Sequence, residues 1–175
     1  MSHPTPSTAA LPIAHVVLRF LIVLNWMMIP IILGMLFIMP NEQWIMRSFG
    51  LSPSPEATRL VMGLRAVAVI GLVAVPLHYI VLKRLLAIVE TVREGNPFVA
   101  ANATRLQAIA WTLFTLQLLS LIVGAIAKAI AIPGHPLHLD AGFSVNGWLA
   151  VLLTFLLARV FAEGALMRED LEGTV

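Results

Sequence analysis

Histidine is the residue from which metal or cofactor chemistry in this sequence would first be sought. His15 and His78 fall in the first and second of four long apolar stretches. Two neutral imidazoles facing each other across adjacent helices can hold a haem iron from both axial sides, which would suit an electron-transfer protein. No second histidine pair or cofactor motif supports that reading, and an interfacial histidine bonded to water or backbone answers the same pattern. His135, His138 and Asp140 lie close together between the third and fourth stretches, with donor types that suit zinc or copper. The prolines around them leave ligand directions undefined, so a solvated loop competes with a metal site. Met27, Met28, Met35, Met39 and Met46 offer soft thioethers, but methionine is also a common gap filler in apolar packing. The chain has no cysteine, which removes thiolate ligands, cysteine nucleophiles and disulfides. It also lacks G-x-S-x-G, H-E-x-x-H and any phosphate-cradling glycine loop. The residue types point away from an enzyme and name no resident cofactor.

The elements that would position these residues follow from composition. Hydrophobic residues make up 59% of the chain and charged residues 11%, with a mean hydropathy of +0.94. That is far more apolar than a soluble domain. About 20 apolar residues cross the hydrocarbon core as one helix, and four stretches qualify, at approximately 12–39, 60–82, 106–132 and 147–167. The fold expected is all-α, a single integral membrane four-helix bundle. The first stretch is too long for a signal h-region and lacks a preceding Lys or Arg, so it is expected to be an uncleaved span.

Orientation follows from the cations flanking the spans. With the N-terminus inside, the inner side holds Arg19, Lys83, Arg84, Arg93, Arg105, Arg159 and Arg168, against Arg47, Arg59, Arg65 and Lys128 outside. Both termini are therefore expected in the cytoplasm. This distribution accounts for the net charge of +2 without direct nucleic-acid binding.

The most punctuated polar sequence is "VREGNPFVAANATRL" at 92–106. Beyond Lys83, Leu86, Val89 and Val92 keep a helical apolar spacing, so helix 2 should run on past the membrane. Gly95 suits the C-terminal cap, Pro97 prevents continuation, and Asn96 or Asn102 can cap helix 3. Helices 2 and 3 should thus extend into a cytoplasmic helical hairpin over 83–105, with Phe98 packing across its turn. A tail at 168–175 faces the same side. Elsewhere, Asn25 can bond a neighbouring helix, Ser120 and Gly124 permit close approach, and Arg159 and Glu163 can pair one turn apart. A polar cavity around Asn25, Gln117 or Ser120 would instead indicate a small-molecule transporter or binding bundle.

The "GNPF" turn, the following "NATRL" and the terminal "VFAEGALMREDLEGTV" resemble the domain-of-unknown-function family DUF2975, a group of small multi-pass proteins of the bacterial inner membrane. The resemblance is carried by Gly95, Pro97, Phe98, Asn102, Arg105, Leu106, Phe161, Gly164, Glu169, Asp170 and Val175. Many relatives end in an Asp-Leu-Thr-Ile-like sequence, whereas this chain ends Asp170-Leu171-Glu172-Gly173-Thr174-Val175. Genes of the family are expected beside one for a small helix-turn-helix regulator. The resemblance therefore implies a membrane anchor or sensor that binds such a cytoplasmic DNA-binding protein. The surface expected to bind it combines Arg93, Gly95, Asn96, Pro97, Phe98, Asn102 and Arg105 of the hairpin with Glu163, Gly164, Glu169, Asp170 and Glu172 of the last helix and tail. Membrane lipid and a second copy of the chain are the other partners expected.

Overall fold

The structure, a computed structural model, describes residues 7–38, 46–47, 54–131 and 142–172. It is all-helical among these residues, with α1 Ser7–Ile38, α2 Pro55–Arg93, α3 Ala100–Ala129 and α4 Val145–Glu172. All four helices are long and apolar enough to cross a membrane. His135, His138, Asp140, residues 173–175 and the side chain of Glu172 lie outside the described residues.

The helix ends follow local chemistry. Ser54 Oγ accepts the Ala57 N–H at 3.2 Å, Pro55 opens α2, and Glu56 sits in the positively polarised first turn. At 39 residues, α2 extends roughly 58 Å, far beyond the ~30 Å hydrocarbon thickness. It stops at Gly95, whose φ of +80° is reached cheaply only without a Cβ. There the Gly95 N–H bonds Val92 O at 3.1 Å and the Asn96 N–H bonds Thr91 O at 3.0 Å. These are the two reversed bonds of a Schellman cap. The start of α3 departs from expectation: its N-cap is Val99, with no side-chain cap bond. Neither Asn96 nor Asn102 caps it, because the Asn102 amide is used elsewhere. α3 also ends at Ala129, three residues short of the expected 132.

The helices pack in sequence order, α1 on α2, α2 on α3 and α3 on α4, with no other helix pair in contact among the described residues. α2 and α3 supply most of the interior, including Leu60, Val61, Val75, Leu106, Ile109 and Ala110. α1 buries nothing across its membrane-length window, and Phe20 and Phe37 stand 65% and 85% exposed. Such a face fits hydrocarbon, where apolar exposure carries no penalty. The α1–α2 register is fixed by polar and aromatic contacts. Asn25 Nδ2 donates to Val75 O at 3.1 Å, and the Trp26 and Tyr79 rings meet edge-on at 5.3 Å.

This register separates the histidines. His78 lies level with Asn25, while His15 lies further toward the α2–α3 turn by about eight to ten residues, or roughly 12–15 Å. Introducing Ile32→Cys with Gly71→Cys, where a Cβ on residue 71 would lie 3.6 Å from Ile32 Cδ1, should give rapid crosslinking by a short bifunctional thiol reagent. His15→Cys with His78→Cys should give none. Because the chain lacks native cysteine, crosslink yield reads the register without background.

Candidate functional site

At the end where α2 turns into α3, one buried amide organises three segments. Asn102 is fully buried. Its Nδ2 donates to Thr91 Oγ1 at 2.7 Å and to Pro97 O at 2.8 Å, while its Oδ1 accepts from Arg105 Nη1 at 2.8 Å. Thr91 passes its own hydroxyl proton to Ile88 O at 2.8 Å, and Arg105 Nη1 also reaches Ala87 O at 3.3 Å. Three of these bonds run in series, from Arg105 through Asn102 and Thr91 to Ile88 O of α2, with side branches to Pro97 O and Ala87 O. Such alignment strengthens each member, and a satisfied buried amide is tolerated where a bare one would be costly. The guanidinium is held by neutral oxygens and forms no ion pair among the described residues.

The turn then fixes α4. Phe98 leans on Phe161 with ring centroids 5.3 Å apart. Three residues on, Gly164 presents bare backbone, and a Cβ there would come within 2.8 Å of Phe98 Cδ1. Residues three apart share a helix face, so Phe161 and Gly164 form one seat for one ring. Phe98 remains 43% exposed, flanked by exposed Arg93, Glu94, Gly95 and Asn96.

Beside this seat, α3 and α4 flank a groove of about 550 Å³ lined by Ala100, Ala103, Thr104, Gln107, Phe155, Ala158, Arg159, Ala162, Ala165, Leu166 and Glu169. Alanine at facing positions leaves the space open. Arg159 Nε donates to Glu163 Oε1 at 2.8 Å, with the two side chains 77% and 56% exposed. Glu169 and Asp170 are exposed on the last turns of the same helix.

The expected docking residues therefore divide. Arg93, Gly95, Asn96, Phe98, Glu163, Glu169 and Asp170 gather at one end with surface to offer, and Pro97, Arg105 and Gly164 are partly buried there. Asn102 is a correction: no partner can reach it, and its part is to hold the turn. Sequence reasoning missed Thr91 as its hydroxyl partner and missed the groove. The latter was signalled by Ala158, Ala162 and Ala165, small residues recurring at helical spacing.

The other candidates do not assemble. His78 Nδ1 lies 2.8 Å from Ala74 O on its own helix, and His15 Nδ1 is buried without a partner. Both would have to enter one iron's coordination shell to make the haem site, which the register forbids. Asn25 is spent between α1 and α2, whereas Gln117 packs against Gly147, and Ser120 Oγ donates to Gly142 O at 3.1 Å and accepts its N–H at 3.3 Å. Asn25 thus serves the α1–α2 contact, whereas Gln117 and Ser120 serve the contact of α3 with α4 and the residues just before it.

Comparison with known proteins agrees with the turn and tail motifs. The family described as "Protein of unknown function (DUF2975)" matches residues 6–175, and the chain belongs to it. No curated protein and no solved structure matches.

Replacing Asn102 with Ala removes the bonds to Thr91 Oγ1, Pro97 O and Arg105 at a fully buried position, leaving Thr91 and Arg105 only their bonds to α2 carbonyls. The expected loss is about 2–3 kcal/mol of stability, read as a fall in unfolding temperature of the detergent-solubilised protein. Gly164→Leu should instead unseat Phe98, exposing residues 94–99 to limited proteolysis while Asn102 keeps its bonds.

Proposed function

We propose that this member of the DUF2975 family is a non-enzymatic membrane anchor or sensor that docks a small helix-turn-helix regulator at the end formed by the α2–α3 turn and the last turns of α4. That end faces the cytoplasm, as the distribution of seven cations against four supports, and the membrane is the bacterial inner membrane.

The groove between α3 and α4 carries the reading. At about 550 Å³ it offers an open cleft beside the turn. Its alanine floor can admit one row of side chains from an amphipathic helix. Gln107, Arg159 and Glu169 on its wall offer polar partners of both signs, and exposed Phe98 extends the apolar surface toward the turn. Exposed ion pairs such as Arg159–Glu163 contribute only about 0–1 kcal/mol, so their rearrangement on docking costs little.

A second reading, small-molecule binding, has one observation in its favour. An apolar cleft of about 330 Å³ lies among Leu21, Leu24, Asn25, Met28, His78, Val81, Leu82 and Leu113.

Affinity purification from membranes of the native host separates the two. The intact chain should retain a small DNA-binding protein identified by mass spectrometry. Recovery should fall tenfold or more both in Ala162→Trp, which fills the groove, and in a chain ending at Met167, which removes Glu169 and Asp170. Equal recovery from all three forms, at matched unfolding temperatures, would refute docking in the groove.

A further inference from the structure

On the face of α1 and α2 away from that groove, two cations stand without an acid. Lys83 Nζ lies 5.9 Å from the Tyr79 ring centroid, and the Tyr79 ring meets Trp26 of α1 edge-on at 5.3 Å. Lys83 follows Tyr79 by four residues and Arg19 precedes Trp26 by seven, spacings that return to the same helix face. Because α1 and α2 are antiparallel, both cations lie on the turn side of the aromatic contact. Lys83 is about 6 Å beyond it and Arg19 about 10 Å, on axes roughly 8–10 Å apart.

Both side chains are exposed, and neither makes an ion pair among the described residues. α1 and α3 contain no Asp or Glu. Glu90, the next acid along the Lys83 stripe, is seven residues further on, about 10 Å along the axis. Deeper on the same face, Trp26 is 50% and Leu33 43% exposed, giving apolar surface below a cationic rim. The second apolar stretch ends at Leu82, so Lys83 stands at its edge, and the antiparallel register brings Arg19 to a similar depth, the level of lipid phosphate.

We infer that Arg19 and Lys83 bind the headgroup phosphate of an anionic phospholipid in the leaflet on the side of the α2–α3 turn, with the acyl chains laid over Trp26 and Leu33. The guanidinium grips two phosphate oxygens at once, while the ammonium acts as a point charge steadied by the Tyr79 ring. This site lies on a different helix pair from the α3–α4 groove and does not depend on it.

Native mass spectrometry of the full chain, released from detergent carrying phosphatidylglycerol or phosphatidylcholine, tests the inference. The wild-type chain should retain phosphatidylglycerol in preference to phosphatidylcholine. Arg19→Gln with Lys83→Gln should weaken that retention by about 25-fold, the product of two cations each contributing about fivefold near an anionic surface. Lys128→Gln, at the opposite end, should leave it unchanged. Equal retention of the two lipids by the wild-type chain, or undiminished phosphatidylglycerol retention by the double variant, would overturn the site. Displacement of the lipid by millimolar inorganic phosphate would overturn its assignment to a phospholipid.

Discussion

The buried amide of Asn102 is the constraint on which the turn end of the molecule depends. A primary amide with no access to water must find its partners within the protein. Asn102 finds them only when Thr91 of α2, the carbonyl of Pro97 and Arg105 of α3 meet around it. That meeting fixes the phase of α2 against α3. It also aims Phe98 at the one glycine of α4 that can receive its ring. Gly95 lets α2 end cleanly, Asn102 locks the return and Gly164 accepts the product, so three residues distant in the chain serve one geometry.

Away from that turn the stabilising physics changes, because hydrocarbon gives apolar side chains no reason to hide. α1 has one neighbour and no buried residue across its membrane-length window. What holds such helices is close contact and a few polar ties, each at a specific place. Asn25 bonds the Val75 carbonyl, Ser120 bonds both backbone groups of Gly142, and Gly63 admits the side chain of Ile130. The small pair Ser120 and Gly124 brings in the segment before α4, with Gly142 close to the Gly124 backbone.

These ties also occupy several of the polar side chains within the apolar helices. Asn25 and Ser120 are engaged with backbone carbonyls across two different helix contacts, and His78 Nδ1 lies against a carbonyl of its own helix. Polar atoms used to join helices are not free to converge on a substrate. Among the described residues, open polar surface lies at the turn end, where the α3–α4 groove and the exposed Phe98 adjoin charged side chains of both signs.

The helical class, the number of membrane-length helices and the extended α2 were legible in the sequence, because hydropathy over some 20 residues and the Gly-x-Pro break act locally. So was the Asn25 tie. The role of Asn102 was not: near a helix start, asparagine reads as a cap, and only the approach of Thr91 from eleven residues earlier turns its amide inward. The histidines read as a pair because spans show which helices are adjacent but not their register. A shift of about one turn moves a side chain by 5.4 Å, and hydrophobic pattern does not encode it. Composition and local signals therefore determined the elements of this protein. Tertiary packing decided which side chains meet, because register and phase are set by a handful of polar and glycine contacts between residues distant in the chain.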